Sequence, residues 1–161
     1  MDRDAQQPVL KEYYLKPGFI FVPDKPTSIS TVIGSSVAVC VYDKSKRIGG
    51  MSHFLYPFPR PRQETTALFG NIAVLTLIKM ITNAGARESK IRAQIFGGAY
   101  DPEQCRQDIG KKNLASARQV LARKRIRIVS EDVAGELGRK IVFNTSTCDI
   151  AVLKVDRLRE S

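Results

Sequence analysis

Short apolar runs bounded by turn residues outnumber helical stretches along this chain. Residues 13–22 read as strand, Pro-Gly turn and strand, and residues 23–30, with two prolines, as a polar loop. Residues 37–42 form a continuous apolar run that suits a buried strand. Residues 43–47 are a polar turn, and 48–55 the returning strand, whose Gly49-Gly50 pair suggests a bulge or a close backbone approach. Residues 56–65 hold three prolines and read as an irregular loop, either a lid over a site or a plain connector. Leu68, Phe69, Ile72, Leu75, Ile78 and Ile81 recur at helical spacing, which predicts a helix over 66–83 closed by Asn83 and Gly85. A second helix is predicted over 108–124, with Ile109, Leu114, Ala117, Val120 and Leu121 inward. Residues 91–96, 125–130, 140–145 and 150–155 read as strands. The expected fold is a single-domain α/β sandwich over 1–161, with a mixed, mostly antiparallel sheet, two long helices and a disordered 1–8.

Composition narrows the class. Hydrophobic residues make up 43% and charged residues 26%, which fits a globular domain rather than a disordered chain. No apolar run reaches the length of a membrane span, and the first residues lack a secretory h-region, so the expected location is the cytoplasm. Cys40, Cys105 and Cys148 are odd in number and scattered, so reduced thiols are expected, with no disulfide framework and no metal. The net charge of +10 favours acidic partners but comes without a nucleic-acid-binding signature, and no nucleic acid is expected.

The candidate chemistry lies in the hairpin segment. Ser36 precedes the first strand and His53, the only histidine, ends the second, so the hairpin can fold the two together. A hydroxyl facing an imidazole is the minimal pair for nucleophilic acyl transfer. Gly34 permits a tight turn whose N–H groups could hold an oxyanion, and Thr31 or Ser30 could orient the imidazole. On the residues alone, a histidine at a strand end is more often structural than catalytic.

The segment Ile33-Gly34-Ser35-Ser36-Val37 resembles the Leu-Gly-Ser-Cys-Val turn of the chemoreceptor glutamine deamidases, the CheD family. Three further motifs follow in the family's order: Phe96-Gly97-Gly98-Ala99, Ile109-Gly110-Lys111-Lys112-Asn113, and the stretch from Asp132 to Lys140. The resemblance runs from about Tyr14 to Leu153. It implies hydrolysis of glutamine side-chain amides on methyl-accepting chemoreceptors, a Cys-His-Thr site without cofactor or metal, and the chemotaxis phosphatase CheC as a further partner. By position, His53 matches the histidine, Thr31 (or Ser30) the threonine, and Ser36 the nucleophilic cysteine.

The departures carry their own expectations. Serine at 36 removes the polarizable, low-pKa nucleophile, so reduced or lost activity is expected. The alternative is an inactive module that binds the receptor or the phosphatase. Cys40, on the same strand as Ser36, reads as core rather than as a substitute nucleophile, and Cys105 and Cys148 as incidental. Gln94 stands where a lysine is common in the family. Ala134 and Cys148 stand where glycine is frequent, which raises the question of a positive φ at each.

Overall fold

Val37–Asp43 (β4) is buried along its whole length, and the architecture is built around it. A strand that is apolar on both faces needs a layer on each side. Val37, Val39 and Val41 face the helices, in a core that also holds Val74, Leu77, Ile81, Leu114 and Leu121. Ala38, Cys40 and Tyr42 face the other way, onto Ile29, Ile33, Ile141 and Phe143 of a second sheet. The result is three layers: helices, sheet, sheet.

The computed structural model describes residues 9–155; the expectation for 1–8 lies outside the described residues. The order is β1 (Lys11–Tyr14), β2 (Ile20–Phe21), β3 (Thr27–Ile33), β4, β5 (Ile48–Phe54), α1 (Gly70–Asn83), β6 (Arg92–Gly97), α2 (Ile109–Arg123), β7 (Arg127–Val133), β8 (Gly138–Asn144) and β9 (Ile150–Val155). One sheet runs β2-β5-β4-β6-β7 and the other β1-β3-β8-β9. Among these strands β1 with β3 and β6 with β7 pair in parallel, and the other pairings are antiparallel. The α/β sandwich is thus as expected, with its strands divided over two sheets. The Pro17-Gly18 turn does not close a hairpin, because it hands the chain from the β1 sheet to the β2 sheet.

Of the boundaries that differ from the sequence reading, two bear on the site. The loop expected over 23–30 ends early, since β3 starts at Thr27 and alternates buried and half-buried positions. Its buried positions include the hydroxyl residues Thr27 and Thr31, which the eye takes for loop. Helix α1 starts at Gly70 rather than 66, because the backbone before it is already engaged. Leu68 O accepts from the amides of Leu55 and Tyr56, at 2.9 and 3.0 Å, and Phe69 is extended. Gly49 and Gly50 sit in an unbroken β4–β5 ladder, so of the two readings the close approach holds. A Cβ on Gly49 would meet the Phe143 ring at 2.7 Å.

Both residues that replace a frequent glycine do have left-handed backbone, at φ 64° for Ala134 and 63° for Cys148. A Cβ in that region costs about 1–2 kcal/mol. Ala134→Gly is therefore expected to stabilise the chain by about 0.5–1 kcal/mol, since glycine's extra freedom when unfolded offsets part of the relief. A urea midpoint that rises at unchanged slope is the expected result; a lower midpoint would contradict it.

Candidate active site

The site lies where the two sheets meet, at the end of β4 and β5. The β4–β5 register sets Val37 opposite Phe54 and Ala38 opposite His53. Ser36, one residue before β4, is therefore the diagonal same-face neighbour of His53, a separation that an imidazole can span. His53 Nε2 lies 2.8 Å from Ser36 Oγ. From the facing sheet, Thr31 on β3 brings its Oγ1 to 2.7 Å from His53 Nδ1. Ser30, the alternative, alternates to the half-buried face of β3 and has no side-chain bond to the imidazole. The structure thus brings Ser36, His53 and Thr31 into one line.

The proton positions follow from the partners. Thr31 also lies 2.8 Å from Leu15 O, an acceptor only, so the threonine hydroxyl donates there. Its oxygen is left to accept from Nδ1–H. Nε2 then carries the lone pair, and Ser36 O–H donates to it. A neutral imidazole in this tautomer is the form a general base needs. Burial keeps it neutral: His53 is 1% exposed, and desolvation pushes its pKa down to about 4. The backbone of His53 is gripped as well, with its carbonyl accepting from the Gly18 amide at 2.7 Å and its amide donating to Phe19 O at 3.2 Å.

This depressed pKa couples to folding. The unfolded chain takes up a proton near pH 6.5, whereas the folded one resists until about 4. Stability is therefore fully present above about 6.5 and falls as pH drops towards 4, by about 1.4 kcal/mol per unit. Urea unfolding is expected to show a loss of about 2–3 kcal/mol between pH 7 and 4.5, and His53→Gln should flatten that slope. An unchanged slope in His53→Gln would assign the effect to other groups.

The motifs that follow the hairpin converge on the backbone of Ser36. Gly97 has φ 103°, and a Cβ there would collide with Ser36 O. The next amides, of Gly98 and Ala99, donate to Ser36 O at 2.9 Å and Gly34 O at 3.0 Å. Gly110 at the head of α2 lies against Gly98 O, with no room for a side chain. One turn on, Asn113 donates from Nδ2 to Ser35 O and Leu55 O. Arg139, 2% exposed, bonds Asp132 at 2.9 Å, Ala134 O at 2.7 Å and Leu137 O at 3.2 Å, and so holds the β7–β8 turn.

That turn forms one wall of a cleft of about 270 Å³ beside the hairpin end, lined by Gly34, Ser35, Tyr100, Asp101, Gln104, Cys105 and Glu136 among others. The 100–107 segment lines this cleft and the proline-rich 56–65 loop does not; Ser36, His53 and Thr31 lie beside it rather than in its lining. Cys40 is fully buried between the sheets, and burial, with Cys148 nearby, raises its pKa well above the usual thiol value. Burial also pushes Cys148 up to about 11. Cys105 is exposed on the cleft wall. The sequence reading attached no role to Asn113, Arg139 or 100–107. An asparagine in register with the inward residues Ile109 and Ala117 of an amphipathic helix was the signal available for the first.

A family model described as CheD chemotactic sensory transduction matches residues 57–154. The chain belongs to the CheD family. A probable chemoreceptor glutamine deamidase CheD of Anaeromyxobacter dehalogenans is 41% identical over 135 residues, covering 83% of this chain and 78% of that one. Relatives with the same description in Trichlorobacter lovleyi and Methanococcus vannielii are 36% and 33% identical, over 86% and 90% of this chain and 87% and 96% of theirs. Among solved structures, the hypothetical protein YfiH of Bacillus licheniformis is a loose likeness, with a TM-score of 0.46 and 16% identity over 71% of this chain and 49% of that one.

Part of the chain's positive charge gathers at the C-terminal ends of the helices. Lys79, Arg123, Lys124 and Arg125 share a second cleft, at the C-terminal ends of α1 and α2. Arg92 and Arg127 pair across the starts of β6 and β7, and the β4–β5 turn adds Lys44, Lys46 and Arg47. Among the described residues none of these forms an ion pair. No helix among the described residues is long and apolar enough to cross a membrane.

Proposed function

We propose that this chain is a chemoreceptor glutamine deamidase in which Ser36 takes the nucleophile's place, His53 is the general base and acid, and Thr31 orients His53. The observation that carries the proposal is the line Thr31 Oγ1–His53–Ser36 Oγ, at 2.7 and 2.8 Å, in the tautomer set by Leu15 O. Ser36 Oγ attacks the side-chain amide carbon of glutamine: the O–C bond forms, the C=O π pair moves to oxygen, and His53 Nε2 takes the hydroxyl proton. Collapse of the tetrahedral intermediate breaks the C–N bond, and His53 returns the proton to the departing ammonia. Water, deprotonated by the same Nε2, then attacks the ester, releasing glutamate and restoring Ser36 O–H.

The serine makes this slow. An imidazolium can hold a thiol as a resting thiolate, but no comparable store of alkoxide exists at neutral pH. His53, with its pKa near 4, must accept the proton within the transition state itself. The distance of 2.8 Å suits that O–H to N transfer. The substrate is a chemoreceptor, on the strength of the relatives' descriptions. The test follows glutamines of a receptor cytoplasmic fragment by mass spectrometry, where each deamidation adds about one mass unit and releases ammonia. Conversion by this chain or by Ser36→Cys is expected; none by either would leave the second reading. That reading, favoured only by serine at position 36, is a module that binds the receptor or CheC without chemistry.

A further inference from the structure

Three consecutive carbonyls lead into the nucleophile position. Gly34 O and Ser36 O are held by backbone amides, those of Ala99 and Gly98, at 3.0 and 2.9 Å. Ser35 O, between them, is held by a side chain: Asn113 Nδ2 donates to it at 3.1 Å. Asn113 is fully buried, and the other hydrogen of the same Nδ2 goes to Leu55 O at 3.0 Å. Leu55 lies just past Phe54, where the β4–β5 ladder ends. One amide group thus clasps both chains of the hairpin beyond its last rung, joining the turn before Ser36 to the strand end after His53.

The orientation of this amide is forced. Turned over, Oδ1 would face two carbonyl oxygens. In the orientation present, Oδ1 is buried without a partner among the described residues. A buried unpartnered oxygen is unfavourable, and packing alone would be served better by an apolar residue. The benefit lies with Nδ2. No cis peptide bond occurs among the described residues, so the 35–36 peptide is trans and planar, and its N–H points opposite to its C=O. By holding Ser35 O, Asn113 sets the direction of the Ser36 amide. That amide donates to no backbone acceptor among the described residues.

We propose that Asn113 is a positioning residue that aims the Ser36 N–H at the oxygen of the tetrahedral intermediate. The identity of that oxygen rests on the deamidase reading. The test uses the Ser36→Cys chain and a receptor peptide in which the target glutamine is replaced by the γ-aldehyde of glutamate. The thiol adds across the aldehyde: an S–C bond forms, the C=O π bond breaks, and the thiol proton ends on the new oxygen. That oxygen occupies the oxyanion's place. Iodoacetamide alkylates the same thiol by displacing iodide, develops no oxyanion, and is the control.

Asn113→Ala is expected to weaken the aldehyde about tenfold or more while changing the alkylation rate less than about twofold. In the Ser36→Cys chain the amide proton of position 36 should move downfield when the adduct forms. Unchanged aldehyde affinity in Asn113→Ala would overturn the proposal, as would an equal loss in both reactions, which marks general collapse of the site. An amide at position 36 that does not respond would overturn it too, and needs no second variant to fold. Failure of the Ser36→Cys chain to bind the aldehyde while it still turns over glutamine has the same meaning; failure of both removes the deamidase reading. Glutamine turnover separates the two readings. Turnover indifferent to Asn113→Ala removes this proposal alone, whereas an Asn113-dependent adduct without turnover removes the deamidase reading alone.

Discussion

Ser36→Cys is expected to raise glutamine deamidation on the order of a hundredfold or more near neutral pH. The parts around position 36 are in place: a base 2.8 Å away, a hydroxyl fixing its tautomer, and carbonyls of the preceding turn held from two directions. What the serine withholds is a stored nucleophile. A thiol starts from a pKa of about 8.5 and falls by one to several units beside an imidazolium, so thiolate is present before substrate arrives. Burial works against that pairing, because it holds the His53 pKa near 4. The thiolate must therefore raise the imidazole's pKa by direct attraction, and the two will titrate as a pair. His53→Ala in the Ser36→Cys background should return the rate to that of the unmodified chain or below, and the thiol's alkylation pKa towards about 8.5. An unmodified chain already as fast as Ser36→Cys would show Ser36 to be a competent serine nucleophile. Loss of the gain without any change in thiol pKa would mean that His53 acts later than proton abstraction.

The hairpin was legible because two local signals coincide in it. The run from Val37 to Tyr42 is the continuous apolar run of a buried strand, and a short polar turn fixes the register that makes Ser36 and His53 diagonal neighbours. The positive φ values at Ala134 and Cys148 were legible for a similar reason, since a single residue's backbone shows up in which residue types are frequent there. Thr31 was legible with Ser30 beside it, and the alternation of β3, fixed by its pairing with β8, is what turns Thr31 rather than Ser30 to the buried face. Partners supplied from far along the chain were not legible. Asn113 comes from a different layer, and its two acceptors are main-chain carbonyls that carry no sequence signature. The division of the strands into two sheets escaped for the same reason: strand periodicity tells which faces are apolar, not which strand covers them.

The net charge of +10 is not spread evenly over the fold. Taken as an average it favours attraction of an acidic substrate to the whole chain. The structure gathers unpaired cations around the far ends of α1 and α2, while the cleft beside Ser35 is lined by Asp101 and Glu136. Arg60 and Arg62, in the 56–65 loop, do not line that cleft.

Thr31→Val in the Ser36→Cys background is expected to lower deamidation on the order of a hundredfold, with Ser30→Ala close to neutral. Valine keeps the shape of threonine but removes the oxygen that accepts Nδ1–H and the hydrogen that reaches Leu15 O. The imidazole is then free to carry its proton on Nε2, which turns the base into a donor pointed at the nucleophile. Serine hydrolases whose third residue can no longer hold the tautomer lose about four orders of magnitude. A neutral threonine supplies orientation without charge, so the smaller figure is expected. Stability should fall as well, by about 2–4 kcal/mol, because the imidazole N–H and Leu15 O are both left buried without partners. The two effects separate by measurement. A structural loss alone lowers the urea midpoint but leaves kcat of the folded fraction intact. A tautomer effect lowers kcat at unchanged KM, and raises the pH at which the thiol alkylates. If Ser30→Ala proved the damaging change and Thr31→Val the neutral one, the orienting role would move to the other face of β3 and the proton assignment at His53 would have to be abandoned.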